Sequence, residues 1–524
     1  MSSPLQLQKP LGLMEKPPAL LEEPEQRYQG HGIATNPYIV EFVVGDPKNP
    51  LNWTKTRKWT ITAIATIAVF ATTLASSAYS SSRQQILAEL HGNNEEFAAG
   101  VSLFVLGFAI GPPFWGPLSE LYGRRFLFHA TLGVLVAFVA ATAGCTSITQ
   151  LLFFRLLSGT FGASPLTNSG GIISDLFAAN ERGLAIALFA AAPFLGPILG
   201  PILGGYVTIT AGWRWVQGVV VIFIGVVWIA GIIFLPETYG PVILRKMASD
   251  LAKKDGHYYI SAIDKNKNNG DMNASAVFAK ALKRPWILLF REPIVLIASI
   301  YLSIIYATIY MFIPAFPIVF GQYRGWNDGL VGLAFLGVAV GMLIGLFCAI
   351  LDDIFRYRKL GKSATPESRL PPCIAGAIAL PIGLFGFAWT NGPNIHWSAS
   401  IILSAPFGFG AVLVFLPILN YLVDSYTIYT ASVFSAAAML RAVIGAAFPL
   451  FTTQMFHNLG IHWASSIPGF LTVACLPFPF VMYKYGEALR MKCKYAADAA
   501  LQLARLEAQA PARGTDGNET DTTV

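Results

Sequence analysis

Hydrophobic residues in this chain come in long blocks rather than in alternation with polar ones. Apolar runs of about 20 residues, the length a helix needs to cross roughly 30 Å of hydrocarbon, recur near positions 59–79, 97–118, 127–145, 149–173, 184–209, 215–236, 294–319, 329–351, 371–390, 397–423, 430–456 and 463–485. A backbone in lipid must satisfy its own hydrogen bonds, so each run predicts a transmembrane helix. A polar stretch, Glu237 to Pro293, separates the first six runs from the last six. The pattern predicts an all-α membrane protein of twelve transmembrane helices. Residues 1–57 read as a disordered tail, 58–236 as a six-helix bundle, 237–293 as a central loop, 294–486 as a second six-helix bundle and 487–524 as a C-terminal tail. Within that last tail, Arg490 to Ala510 has the basic start and apolar content of a helix resting on a membrane surface.

Composition agrees with this class: 54% of residues are hydrophobic and 12% charged, against roughly 25% charged in soluble domains. The net charge of +7 invites a nucleic-acid reading, but the basic residues sit at span ends and argue against one. The central loop carries ten of them, and Arg124, Arg125, Arg182, Arg356, Arg358, Lys359, Lys362 and Arg369 share its side, against Arg83, Arg214 and Arg324 opposite. The positive-inside rule then places the central loop and both termini in the cytoplasm. The sequons at Asn52, Asn273 and Asn518 fall on that side and predict no glycosylation. Five scattered cysteines without a CxxC pair suggest neither a disulfide framework nor a metal site. There is no P-loop and no catalytic cluster at a span edge. The expectation is a monomer in the lipid bilayer, without enzymatic activity or cofactor.

Two features relate the halves and mark moving parts. Glu120 precedes Arg124 by four residues, and Asp352 precedes Arg356 by four, at matching ends of the second and eighth runs. That spacing brings opposite charges together along a helix, and its recurrence points to parallel-related six-helix repeats. In the fifth run, Gly196, Gly200 and Gly204 lie four apart, with Pro197 and Pro201 after the first two and Gly205 at the end. Such a stripe serves either as a close packing seam or as a bend that a conformational change must respect.

Residues Gly116 to Arg125 (GPLSELYGRR) resemble the loop motif between spans two and three of the major facilitator superfamily, with Glu120 where Asp is commoner. Arg155 to Gly162 (RLLSGTFG) is similar to its span-four motif, and Gly196 to Gly205 (GPILGPILGG) to the span-five motif of its antiporters. Asn49 to Trp53, Pro236 to Tyr239, Arg291 to Pro293 and Asn420 to Tyr426 resemble the fungal twelve-span drug:proton antiporters in particular. The resemblance implies the major facilitator fold and proton-coupled efflux of a hydrophobic or amphiphilic small molecule, such as a fungicide or a self-made toxin. It implies gating roles for Glu120, Gly123, Arg124, Arg125, Gly196, Pro197, Gly200, Pro201, Gly204 and Gly205, which the recurrence of the charge spacing extends to Asp352 and Arg356, and a plasma-membrane location, with the vacuolar membrane as alternative. A polyamine or organic-acid exporter and a non-transporting receptor of the same fold are the competing readings.

Arg155, inside its span, is too costly to face lipid. It either snorkels to the nearby outer interface or pins a carbonyl of a neighbouring helix, or, as the resemblance implies, takes part in proton coupling. Arg441 raises the same question with no motif to help. The acidic residues near spans lie toward one end, and Asp175 and Asp424, each at an apolar helix end, are the first proton-carrier candidates. For substrate contact the candidates are Tyr301, Tyr306, Tyr310 and Phe312 of the seventh run, with Asn168, Gln217, Asn420 and Tyr421; aromatic stripes serve packing as readily as binding. Residues 312–317 lack the acidic residue that this branch often carries there, which favours a neutral, weakly acidic or amphiphilic cargo over a strongly cationic one.

Overall fold

The computed structural model describes residues 28–501, apart from 44, 179–180, 263, 265–273, 364, 393 and 500. Residues 1–27 and 502–524, with Asn273 and Asn518, therefore lie outside the described residues. The chain divides into two compact units, residues 1–46 with 241–272, and 47–240 with 273–524.

In the smaller unit, hydropathy predicted only tail and loop. The structure pairs β1 (Tyr38–Val40) in parallel with β2 (Tyr259–Ser261), in the register Tyr38 to Tyr259, Ile39 to Ile260 and Val40 to Ser261. Val40 packs with Leu244 and Ala248, and Arg245 makes an ion pair of 2.9 Å with Asp264. Strands this short carry no hydropathy period, so only the fold reveals the pairing of segments far apart in sequence.

The larger unit is helical: α1 (Lys55–Ala78), α2 (Arg83–Leu90), α3 (Asn94–Ile110), α4 (Pro112–Tyr122), α5 (Arg124–Ala143), α6 (Ile148–Leu176), α7 (Gly183–Ala211) and α8 (Trp213–Phe234) make its first part. Helix α9 (Gly240–Asp255) belongs, but for its first residue, to the smaller unit; the larger unit continues with α10 (Ala274–Arg291), α11 (Pro293–Phe316), α12 (Asp328–Ala334), α13 (Leu336–Asp352), α14 (Pro371–Trp389), α15 (Trp397–Ser425), α16 (Thr430–Cys475) and α17 (Pro477–Lys492). Among the described residues nine helical segments are long and apolar enough to cross a membrane, and the bent pair α3–α4 makes a tenth. The Gly, Ser, Thr and Asn of α6 lower its hydropathy, yet at 29 residues it is long enough to span. The 63-residue segment Thr430–Lys492 is two spans divided at Gly460, whose φ of 75° breaks the helix. Twelve spans result among the described residues, close to the predicted runs.

Local chemistry sets the breaks. Asn93 and Glu96 form a capping box that starts α3, and Ser147 caps α6. Gly123 at φ 95° and Gly212 at φ 88° separate α4 from α5 and α7 from α8, a left-handed backbone that glycine adopts without penalty. The apolar residues then sort by depth. Helix α8 exposes Trp215, Ile222, Val226, Ile229 and Ile233, a stripe suited to lipid contact, whereas α11 buries Tyr301, Tyr306, Tyr310 and Phe312 completely.

Both halves share a packing plan: α1 against α7 and α3 against α6 in the first, α11 against α16 and α13 against α15 in the second. Glycines permit the close crossings. A Cβ on Gly159 would strike the Phe104 backbone, and one on Gly408 the Val338 backbone, at the equivalent helix pair of the two repeats. The halves meet through α3 with α16 and α7 with α12 and α13.

Candidate functional site

Between the halves lies a cavity of about 610 Å³. Phe108, Pro112, Gly116 and Glu120 of α3–α4 line it as a stripe four residues apart, and Phe434, Ala438, Arg441 and Ala442 of α16 face them. Helices α6 and α7 add Gly170, Gly171, Arg182, Ile186 and Phe189, and Tyr306 of α11 forms the inner end. Its rim residues Glu120, Thr427 and Ala431 are exposed, whereas Tyr306 is buried. The cavity therefore opens at the arginine-rich end of the bundle. At the opposite end the halves are closed: Gln454 donates to Glu95 at 3.1 Å, a Cβ on Gly205 would meet the Asp328 carbonyl, and one on Gly332 would lie 2.6 Å from the Pro201 carbonyl.

Arg155 is buried just beyond the inner end. Its Nε donates to the Gly100 carbonyl at 3.0 Å, Nη1 to Ala75 at 2.8 Å and Nη2 to Ser76 at 2.5 Å. Its guanidinium lies 4.5 Å from the ring centres of both Tyr79 and Phe104. Ala75 and Ser76 belong to the last turn of α1, where carbonyls lack intrahelical partners and carry the negative end of the helix dipole. Arg155 is thus a cap for α1 and a tie to α3, with no carboxylate partner among the described residues. Next to it, the Ser76 hydroxyl meets the Tyr310 hydroxyl at 2.8 Å, and the Tyr306 hydroxyl donates to Tyr310 at 3.4 Å. This short chain crosses from the first half to the second. Arg441 lies at its end, 5.0 Å from the Tyr306 ring centre and 5.1 Å from that of Phe415.

At the arginine-rich end the charges pair differently from the expectation. Glu120 does not pair with Arg124, because Gly123 ends one helix and Arg124 begins another, so the four-residue spacing does not lie on one continuous turn. Arg124 instead approaches Asp175 at 3.5 Å and donates to Ser119 at 2.5 Å. Glu237 accepts from the backbone N–H groups of Arg124 and Arg125. Asp352 and Arg356 do pair, at 2.5 and 2.7 Å, because the chain stays helical between them. The matching element of the second half is Arg369, 3.1 Å from Asp424, before α14 as Arg124 is before the body of α5. Both proton-carrier candidates are therefore tied to an arginine at a helix end.

The glycines of α7 divide their work. Cβ atoms on Gly196, Gly200 and Gly204 would collide with Thr73, Ser77 and the Ala78 backbone of α1, whereas Gly205 faces α12 of the other half. The Thr73 hydroxyl also donates to the Ala192 carbonyl at 3.3 Å and Ser81 to Pro201 at 3.0 Å. Pro197 and Pro201 are accommodated within one helix, Gly183–Ala211.

Of the proposed substrate contacts, only Tyr306 lines the cavity, with Tyr310 directly behind it. Asn168 is buried and donates to Ser164 at 2.9 Å, and Gln217 accepts from Thr142 at 3.3 Å inside the first half. Tyr301 packs edge-on to Phe478, and Phe312 lies among Phe316, Phe387 and Phe407. Tyr421 is buried, and neither it nor Asn420 borders the cavity. Sequence reasoning passed over Phe108, Phe189 and Phe434. The available signal was the four-residue stripe Phe108, Pro112, Gly116, Glu120, which in lipid marks a wall as readily as a packing face.

A bundle of two six-helix repeats, closed at one end around a central cavity and open at the other, is the frame of a membrane transporter. The chain belongs to the Major Facilitator Superfamily, whose family model matches residues 65–449. It is 60% identical to the major facilitator-type transporter sorT of Penicillium rubens, over 93% of this chain and 94% of that one. It is 52% identical to the major facilitator superfamily multidrug transporter mdrA of Aspergillus fumigatus, over 92% of this chain and 80% of that one. A solved structure of the xylose transporter XylE from E. coli, in a partially occluded inward-open conformation, matches with a TM-score of 0.57 at 18% identity, covering 82% of this chain and 98% of that one. It supports the fold alone.

Proposed function

We propose that this chain exports a hydrophobic or amphiphilic small molecule by exchange for protons. The observation that carries the reading is the cavity walled by Phe108, Phe189, Phe434 and Tyr306, open at the arginine-rich end and closed at the other. The positive-inside rule makes that end cytoplasmic, so cargo enters from the cell interior. Rocking of the two repeats about the cavity then exposes it to the other side. Relatives named as a multidrug transporter and as efflux pumps support the direction. The working assignment is a monomer in the plasma membrane with both termini in the cytoplasm.

Proton coupling is assigned to Asp175 and Asp424. Protonation of Asp175 would remove its attraction to Arg124 and loosen α6 from α5 at the open end; Asp424 and Arg369 offer the same step in the second half. The test is cargo accumulation in cells with and without the protein, in the presence and absence of a protonophore. Lower internal cargo with the protein, abolished by the protonophore, is the expected result; higher internal cargo with the protein overturns export. Asp175→Asn and Asp424→Asn are each expected to weaken substrate-dependent proton movement in proteoliposomes, and full coupling in both removes them from the mechanism.

A further inference from the structure

Arg155 and Arg441 are both deep in the bundle, yet they are treated differently. Three nitrogens of Arg155 donate to carbonyls and its guanidinium has a ring at 4.5 Å on two sides. Arg441, eleven residues into α16 and so about 16 Å along the helix, lines the cavity and lies 5.0 Å and 5.1 Å from the ring centres of Tyr306 and Phe415. Among the described residues its side chain has no hydrogen bond and no ion pair. A guanidinium carries five N–H donors in a fixed fork. Arg441 is part-exposed on the cavity wall, so its donors face the cavity with no protein anion among the described residues to take them. The charges that line the cavity are Glu120, Arg124, Arg182 and Arg441. Among the described residues the lone carboxylate is at the exposed rim, in reach of bulk water, and none accompanies Arg441 at the inner end.

We propose that Arg441 is the anchor for an anionic group of the cargo, and that the cavity selects aromatic or conjugated carboxylates over neutral and cationic molecules of the same shape. The carboxylate takes the guanidinium fork in a bidentate contact, with the Tyr306 ring against the same guanidinium. The apolar body of the ligand lies among Phe108, Phe189 and Phe434. Because Tyr306 is bonded through Tyr310 to Ser76, a ligand on Arg441 sits one hydrogen bond from the contact between the halves. The inference rests on the transport reading above for its biological meaning, while its test is one of binding alone.

Full-length protein in lipid nanodiscs is titrated with 1-naphthoate, methyl 1-naphthoate and 1-naphthylmethylammonium, following intrinsic tryptophan fluorescence, with calorimetry as a second readout. The wild type is expected to bind the carboxylate at least tenfold more tightly than the ester and the ammonium. Arg441→Gln is expected to lose at least tenfold for the carboxylate while binding the ester unchanged, and Arg441→Lys to fall between, since a point charge keeps attraction without the fork. Equal binding of acid and ester by the wild type overturns the proposal, as does binding of neither at millimolar concentration. Should Arg441→Gln fail to fold, the wild-type and Arg441→Lys comparisons decide. Carboxylate selectivity in nanodiscs without export from cells would refute the efflux reading and leave this one standing.

Discussion

Replacing Arg155 by Met removes the three donors while keeping an unbranched apolar stem, shorter than the arginine by two bonds. Hydrogen bonds to a charged group contribute about 1.5–3 kcal/mol each, and the loss is less than additive because all three belong to one guanidinium. Two of the three acceptors lie in the last turn of α1, where the carbonyls have no substitute donor unless water enters. The two ring contacts add about 2 kcal/mol if desolvated. A loss on the order of 4–6 kcal/mol is therefore expected, felt first as release of the α1 end from α3 and α6. The assay is the thermal midpoint of aggregation of purified protein, with proton flux per cargo measured on the fraction that reconstitutes. Arg155→Met is expected to lower the midpoint strongly while the surviving molecules keep their coupling ratio, and Arg155→Lys to recover part of the midpoint, since one ammonium cannot reach all three carbonyls. A midpoint equal to wild type together with lost proton coupling would refute the clamp and return Arg155 to the proton pathway.

Gly200→Ala puts a methyl group against the Ser77 hydroxyl and 2.9 Å from the Leu74 carbonyl; over-packing of this kind costs about 1–3 kcal/mol, readable as a lower thermal midpoint, whereas Gly225→Ala, with nothing within 4 Å, is expected to be silent. Tyr310→Phe deletes the 2.8 Å contact to Ser76, worth about 0.5–1.5 kcal/mol, and is expected to raise the population open at the opposite end; a cysteine at Asp328 should label faster, and unchanged labelling would show that the contact does not bias the equilibrium. Glu120→Gln is expected to leave stability unchanged because Glu120 has no ion-pair partner among the described residues, while Asp352→Asn loosens Arg356, by about 1 kcal/mol at most for a part-exposed pair. Equal midpoints for both variants would mean the Asp352 pair contributes nothing.

The polar accounting at the two helix ends shows why equivalent-looking motifs diverge. Glu120–Arg124 and Asp352–Arg356 have the same spacing, and only the second forms, because one glycine with positive φ interrupts the first. A glycine is visible in the sequence; its backbone conformation is not. The same holds for Asp175 and Asp424, which as single letters are carboxylates at apolar helix ends and in the structure are partners of Arg124 and Arg369, residues distant in sequence.

What the sequence determined alone is the set of properties that depend on short stretches: which segments are long and apolar enough to require a helix in lipid, which connections carry the basic charge, and where small residues recur every four positions. Membrane solvation acts residue by residue, so twelve spans and the family motifs were legible, as was the placement of Gly196, Gly200 and Gly204 on one face. What only the tertiary structure decided is which faces meet. It turned Asn168, Gln217, Tyr301 and Phe312 inward within a half, left Tyr306 as the one predicted substrate residue on the cavity, and paired Tyr38–Val40 with Tyr259–Ser261 more than two hundred residues on. It also separated two arginines within spans that hydropathy treats alike, one buried and saturated by the end of α1, the other part-exposed on an open cavity. The physical reason is that partner choice depends on helix rotation and on contacts between segments remote along the chain, and neither is encoded in the local pattern of polarity.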